Sequence, residues 1–152
     1  MSNPEEKLAA MGLSVPEVAK PVAAYVPAVQ SGNHVFTAGQ LPMRGGVLMM
    51  TGKVGGEVAP EQAYECAKQC ALNGLAAVAS VVGGINEIKR IVKVVVFVSS
   101  TPDFTGQPGV ANGASELLGE IFGDAGIHAR SAVGVSVLPL DAPVEVELVV
   151  EV

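Results

Sequence analysis

Two hydrophobic periods divide the chain into helices and strands. Apolar and small residues recur at spacings of three and four from Pro60 to Val82, which predicts one long helix with a small-sided buried face. Pro108 to Phe122 predicts a second helix that ends at Gly123. A short helix is predicted over residues 3–11, because Asn3 is a good N-cap and Pro4 suits the first turn.

The strands come from runs of β-branched residues. Lys89 to Ser99 is almost continuously apolar, which is typical of a strand covered on both faces. Residues 21–29 and 34–41 predict a β-hairpin, because turn-forming residues separate them. Two further strands are predicted over 131–138 and 144–152. Residues 42–56 read as a Gly- and Met-rich connection with room for a short strand at 47–50.

The predicted order of elements is β, β, α, β, α, β, β, with no linker and no repeat. This order predicts a single α+β domain over residues 1–152, in which residues 1–20 form a helical N-terminal extension. We expect a mixed β-sheet covered on one face by two helices. The other face is expected to pack against neighbouring copies of the chain.

Composition strengthens the expectation of an oligomer. Hydrophobic residues make up 49% of the chain and charged residues 16%, whereas about a quarter of a typical globular domain is charged. The mean hydropathy is +0.45. A small domain has much surface to cover, so part of this apolar surface is expected to be buried in a homo-oligomer.

Charge and segment patterns exclude several classes of function. The net charge of −6 and the absence of a basic run argue against nucleic-acid binding and against an anionic membrane surface. The N-terminus lacks the pattern of a secretory signal, and the uncharged stretch 69–86 reads as a buried helix and its exit turn. Cys66 and Cys70 lie four residues apart, which suits reduced core residues of a cytoplasmic protein.

Most familiar catalytic motifs are absent from the sequence. The glycine pairs fit neither phosphate-loop nor dinucleotide spacing, and no serine lies in a nucleophile elbow. His34 and His128 have no partners at metal-ligand spacing, so a hydrogen-bonded role is favoured for each, and no metal site is predicted.

Charged residues within apolar strands are the candidate chemistry. Arg130 opens one predicted strand, and Glu145 and Glu147 alternate with valines in another. One interpretation is a solvent-facing stripe on an edge strand. The other is a polar cleft in which the arginine holds a carboxylate and a glutamate handles a proton or a water. The pattern alone leaves both open.

Several segments resemble the Rid/YjgF family of reactive intermediate deaminases, also known as endoribonuclease L-PSP-like proteins. His128–Val133, then Leu138-Pro139 and Val144–Glu147, are similar to the family signature A-R-S-x-V … L-P … V-E-[IV]-E. Val35–Pro42 resembles the family's second-strand motif, which ends in [S/A]-G-Q-x-P. Further matches in family order are Thr51–Lys53, Gln62, Asn73, Val94–Val98, Asp103-Phe104, Asn112 and Glu116. The resemblance covers about residues 21–150.

The resemblance implies a chorismate-mutase-like fold and a homotrimer, with three sheets around a central β-barrel and ligand clefts between subunits. The implied site consists of Tyr25, Gly39, Asn112, Arg130, Ala132 and Glu145. In it, Arg130 holds the carboxylate of a small 2-keto or 2-imino acid, and Glu145 orients or activates water. The backbone at Gly39 and the Asn112 side chain, reaching across the interface, help to hold the ligand, and Tyr25 closes the pocket.

The implied reaction is hydrolysis of an enamine or imine such as 2-aminoacrylate to a 2-keto acid and ammonia. A 2-iminobutanoate/2-iminopropanoate deaminase-like hydrolase of this kind requires no metal or organic cofactor. Two alternatives stay open: a module that binds a small carboxylate without turnover, and a ribonuclease, against which the acidic charge weighs. A chaperone-like role would have no visible signature.

The sequence also departs from the family pattern. The family's Cys within A-R-S-C-V is Ala132, the usual Ser before Gly-Gln is Ala38, and the Pro often found before Ala-Arg is His128. A packing role at the start of the strand is favoured for His128, and an extra donor beside Arg130 is the alternative. The chain is longer, with the N-terminal helix and an added segment at 43–50. These departures indicate a divergent branch of longer members and leave the substrate open.

Overall fold

A computed structural model describes residues 2–18 and 24–152, which form three α-helices and seven β-strands. The helices are α1 (Pro4–Ala10), α2 (Pro60–Val82) and α3 (Gln107–Phe122). The strands are β1 (Ala28–Ser31), β2 (His34–Thr37), β3 (Met43–Arg44), β4 (Val47–Leu48), β5 (Arg90–Ser99), β6 (Ala129–Val135) and β7 (Val144–Glu151). No helix in this part of the chain carries an apolar stretch that would cross a membrane.

The main sheet is mixed, as predicted. Its five strands lie in the order β1-β2-β7-β5-β6, and all neighbours are antiparallel except β5 and β6. Strands β3 and β4 form a small separate hairpin. The central position of β7 brings the C-terminal strand between the two halves of the sheet, so distant parts of the sequence meet there.

The long helix has the bounds that its sequence predicts. The Gln62 side-chain oxygen accepts a hydrogen bond of 2.9 Å from the backbone N–H of Ala59, which satisfies a free donor at the helix start. The helix ends at Gly83, whose φ of 95° suits glycine and terminates the turn. The predicted short N-terminal helix is also confirmed, because the Asn3 side chain accepts a bond of 2.8 Å from Glu6 N–H.

Helices α2 and α3 cover one face of the sheet. Alternate residues of β7 point toward them, and Val144, Val146, Leu148 and Val150 are fully buried. Small residues let α2 lie close: a Cβ added at Gly74 would stand 2.8 Å from Cδ1 of Leu148. The small-sided stripe of α2 is therefore the contact surface between helix and sheet, and we call the opposite side of the sheet the open face.

Three strand predictions need correction. The first strand begins at Ala28, and residues 21–23 of the predicted strand lie outside the described residues. Strand β2 ends at Thr37, after which only Gln40 bridges to Val146. Strand β6 spans Ala129–Val135 rather than 131–138, because its parallel pairing with β5 begins at Ala129 and ends at Val135. The local sequence does not predict this pairing, because β5 lies far from β6 along the chain.

The added segment at 43–50 forms the β3–β4 hairpin, and buried amides attach it to α2. Asn73 donates bonds of 3.0 Å to the carbonyls of Leu41 and Met43. Gln69 donates to Asn73 at 3.1 Å and accepts from Arg44 at 3.3 Å. Since buried polar groups need partners, this network fixes the hairpin on the helix surface.

Cys66 and Cys70 are free thiols buried on α2, as predicted. Burial raises the pKa of Cys66 to about 11 and the pKa of Cys70 well above its ordinary value. Both side chains are therefore protonated packing residues at neutral pH.

Candidate functional site

Arg130 lies in the edge strand β6, on the side of the sheet that the helices cover. Its register partner in β5 is Val94, a fully buried residue of that face. One guanidinium nitrogen, Nη1, donates to Asn112 Oδ1 at 2.8 Å and to Ser115 Oγ at 3.2 Å. Asn112 and Ser115 are three residues apart on α3 and share one face of that helix. Helix α3 thus binds one nitrogen, Nη1, of an exposed guanidinium.

His128 completes the polar group around Arg130. Its Nε2 lies 2.9 Å from Ser115 Oγ, and its Nδ1 lies 2.7 Å from the carbonyl oxygen of Gly126. A carbonyl oxygen only accepts, so Nδ1 is the donor to Gly126; in the neutral ring Nε2 then accepts a hydrogen bond from the Ser115 hydroxyl. We call Asn112, Ser115, His128 and Arg130 the arginine cluster.

Glu145 lies on the open face of the sheet, in β7. Its carboxylate packs against the backbone of Gly39, where an added Cβ would stand 2.7 Å from the Glu145 carboxyl carbon. With a side chain at residue 39, the Glu145 carboxylate would have to leave this position. Burial raises the pKa of Glu145 above its ordinary value, and the like charge of Glu147 adds to the rise. The arrangement yields a half-buried carboxyl group whose affinity for a proton is increased.

A single chain does not bring Arg130 and Glu145 together. They flank β5 on opposite sides: Arg130 pairs with Val94 and Glu145 with Phe97, three residues further along. Two strand spacings and three residues of rise separate their Cα atoms by on the order of 14 Å. Alternation also places the two side chains on opposite faces of the sheet. One ligand of a few atoms cannot touch both within one chain.

The remaining predicted site residues are Ala132, Tyr25 and Asn112. Ala132 follows Arg130 by two residues, so it shares the helix-covered face, and it is half-buried. Tyr25 precedes β1 and exposes 48% of its side chain. The resemblance implied that Asn112 reaches across a subunit interface. The structure shows it bonded to Arg130 of its own chain, because α3 lies beside β6.

The sequence reading missed Ser115. Its spacing from Asn112 by three helical residues was the available signal, but its link to His128 and Arg130 depends on the packing of α3 against β6. An open cavity of about 540 Å³ near the C-terminal end of β6 was also not predicted. It is lined by Lys53, Ser100, Thr101, Pro102, Phe104, Gln107, Gly134, Val135 and Ser136, and so by none of the predicted site residues.

The open face around Glu145 carries exposed apolar side chains. Phe36 is 47% exposed and Val133 is 45% exposed. Both belong to this face: Phe36 pairs with Val149, and Val133 pairs with Phe97. Exposed apolar groups on a sheet face favour burial against another surface.

Within residues 2–18 and 24–152, no three His, Cys, Asp or Glu side chains are grouped in a way that would hold a metal ion.

Comparison with known proteins gives consistent matches along the chain. The family model described as "YjgF/chorismate mutase-like, putative endoribonuclease" matches residues 5–152. Protein TCP17 of Trypanosoma cruzi is 42% identical over 142 residues, which are 93% of this chain and 89% of that protein. A 2-iminobutanoate/2-iminopropanoate deaminase of Dermatophagoides farinae is 32% identical over 139 residues, which are 91% of this chain and 93% of that protein. The crystal structure of an Agrobacterium tumefaciens protein of unknown function has a TM-score of 0.92 at 41% identity, covering 98% of this chain and 92% of that one.

Proposed function

Because this chain belongs to the YjgF/chorismate mutase-like family, we propose that it hydrolyses reactive 2-imino and enamine acids, such as 2-aminoacrylate, to 2-keto acids and ammonia. One observation carries the proposal. The exposed Arg130 guanidinium is held by an amide and a hydroxyl, which are neutral, so these bonds orient its charge without neutralising it. An oriented guanidinium is suited to bind a carboxylate. The deaminase name of the Dermatophagoides farinae relative agrees with this ligand class.

The proposed assembly is a homotrimer in which the open faces of three sheets form a central β-barrel. Two observations support an assembly with clefts between subunits. Arg130 and Glu145 lie on opposite faces of one sheet, so a neighbouring chain is needed to bring an arginine and a glutamate to one ligand. The exposed Phe36 and Val133 of the open face gain a covering surface in such an assembly.

In the proposed mechanism, Arg130 of one subunit binds the substrate carboxylate and Glu145 of a neighbour faces the imine carbon. Fixing the carboxylate places the electrophilic carbon against a water near Glu145, so positioning supplies much of the acceleration. An enamine such as 2-aminoacrylate first takes a proton from solvent at carbon 3, which gives the protonated imine. Water oxygen then bonds to carbon 2, the C=N π electrons move to nitrogen, and Glu145 accepts a water proton, which gives a carbinolamine. Glu145 returns that proton to nitrogen, the carbon–nitrogen bond breaks as the C=O bond forms, and the hydroxyl proton passes to Glu145, so that the 2-keto acid and ammonia leave. The raised pKa of Glu145 suits both directions of transfer.

The direct test generates 2-aminoacrylate from an amino acid with a pyridoxal-phosphate enzyme and follows pyruvate. We expect this protein to accelerate pyruvate formation beyond the spontaneous rate. Stabilisation by 2-keto acids in a thermal-shift experiment without acceleration would instead identify a binding module. A result with no binding and no acceleration would refute the proposal. RNA cleavage by highly purified protein would favour the ribonuclease that the family description names.

The acid limb of the pH–rate profile is expected to depend on Glu147. Glu145 accepts a proton only when ionised, so kcat/KM rises as the pH increases through the pKa of Glu145. Glu147→Gln removes the like charge that raises this pKa, so the acid limb should move to lower pH while the plateau is kept. The measurement is pyruvate formation from pH 4 upward, with coupling enzymes in excess.

Glu120→Gln is the matched control, because Glu120 is an exposed glutamate of α3 and should leave the limb in place. If Glu147→Gln and Glu120→Gln give the same profile as the wild type, Glu145 is not the group that sets the acid limb.

A further inference from the structure

We propose that Ser115 and His128 are positioning residues that fix the orientation of the Arg130 guanidinium. In this orientation its Nε and Nη2 edge faces the ligand. This inference rests on the proposed role of Arg130 as the carboxylate anchor. It adds two residues that the family motif does not contain, and it states which nitrogens of Arg130 face the ligand.

The first step is the hydrogen count at Arg130. The nitrogen Nη1 carries two hydrogens, and it has two acceptors within the chain, Asn112 Oδ1 and Ser115 Oγ. Two acceptors on α3 therefore compete for the hydrogens of Nη1. An end-on carboxylate needs one hydrogen from Nη1 and one from Nη2, so that geometry competes with the protein. The Nε and Nη2 edge keeps two parallel donors, which match the two oxygens of a planar carboxylate.

The second step is the direction of the Ser115 hydroxyl. Ser115 accepts from Arg130 only with a lone pair, so its own hydrogen must point elsewhere. His128 supplies the acceptor at Nε2, 2.9 Å away, and the carbonyl of Gly126 fixes the ring by accepting from Nδ1 at 2.7 Å. The chain of bonds runs from Arg130 through Ser115 and His128 to a backbone carbonyl. Its far end is buried, since Gly126 is a buried residue.

The third step is the dependence of Ser115 on His128. A residue at 128 without a side-chain acceptor would leave the Ser115 hydroxyl without this partner and free to rotate. The histidine at 128 and the serine at 115 thus form a pair, and either one without the other leaves a polar group unpaired.

Four variants test the proposal: Ser115→Ala, His128→Asn, His128→Gln and the control Ser80→Ala. Glutamine at 128 can place an acceptor near the position of Nε2 and keep the bond to Ser115, whereas asparagine keeps only the end that faces Gly126. Ser80→Ala is the same substitution on α2, where the hydroxyl bonds only the carbonyl of Ala77 in its own helix, at 2.7 Å. The measurements are the Kd of 2-oxobutanoate by calorimetry, the rate of pyruvate formation, and Tm.

We expect Ser115→Ala and His128→Asn to weaken 2-oxobutanoate binding by roughly threefold to tenfold, which is the effect of losing one orienting hydrogen bond. His128→Gln should bind within about twofold of the wild type, and so should Ser80→Ala. Turnover at saturating substrate should change less than Kd, because the reacting atoms are not touched.

The outcomes separate this inference from the proposed function. If Arg130→Ala loses binding while Ser115→Ala and both His128 variants bind as the wild type does, the positioning role is refuted and the anchor role stands. If the wild type itself neither binds nor turns over a 2-keto or 2-imino acid, the proposed function has failed. A loss of binding that parallels a fall in Tm in all variants, His128→Gln included, would assign the pair a purely structural role.

Discussion

Arg130→Ala is expected to lower the affinity for 2-oxobutanoate by roughly 10²- to 10³-fold, because two charge-assisted hydrogen bonds each contribute about 1.5–3 kcal/mol and are only partly additive. Pyruvate formation from 2-aminoacrylate should fall with it. The Tm should change little, since the side chain is exposed and bonds only to Asn112 and Ser115. The measurements are calorimetric Kd, the coupled rate and a thermal melt on the same preparations.

Arg130→Lys is the informative partner of that variant. Lysine keeps the charge but lacks the planar pair of donors. The affinity of Arg130→Lys for 2-oxobutanoate should therefore lie between those of Arg130→Ala and the wild type. Arg90→Ala serves as control, because Arg90 is an exposed arginine at the start of β5. Arg130 is not the anchor, and the proposed site is wrong, if Arg130→Ala keeps wild-type affinity for 2-oxobutanoate. The same conclusion follows if Arg90→Ala lowers this affinity as much as Arg130→Ala does.

Gly113→Val is expected to produce the largest loss of stability, of roughly 2–4 kcal/mol, by overpacking the contact between α2 and α3. A Cβ at residue 113 would stand 2.9 Å from the carbonyl carbon of Tyr64 and 3.3 Å from the Cβ of Ala67. The nearest neighbours are backbone atoms of α2, which cannot rotate away as a side chain can. The two helices must therefore separate, and chemical denaturation should show a lower midpoint.

The same helix offers two matched controls. A Cβ at Gly109 or Gly119 meets nothing within 4 Å. Gly109→Ala and Gly119→Ala should thus be neutral or stabilise the chain by up to about 1 kcal/mol, because alanine favours the helix over glycine. If Gly113→Val unfolds at the same denaturant concentration as these two variants, the helices do not pack as closely as the structure shows.

Stability and ligand binding are expected to separate in these experiments. Gly113 lies on the face of α3 that meets α2, whereas Asn112 and Ser115 lie on the face that meets β6. One helix therefore serves the core on one side and the arginine cluster on another. A destabilised but folded Gly113→Ala protein should still bind 2-oxobutanoate when assayed well below its Tm.

The sequence by itself determined the helices and the family. The bounds of α2 follow from local causes: Pro60 in the first turn, the Gln62 bond to the backbone of Ala59, and Gly83 at the end. These interactions span at most a few residues, so periodicity and capping predict them. The motifs around Gly39, Arg130 and Glu145 indicated the family because short segments keep their order and spacing along the chain.

Only the tertiary structure decided how the candidate residues are arranged. The start of β6 at Ala129 depends on parallel pairing with β5, a strand some 30 residues earlier in the chain. The placement of Arg130 and Glu145 on opposite faces depends on the registers of both strands against β5, and a shift of one residue in either would reverse it. The link from Arg130 through Ser115 to His128 exists because α3 packs beside β6. Contacts between distant segments are set by packing, which no local pattern of the sequence records.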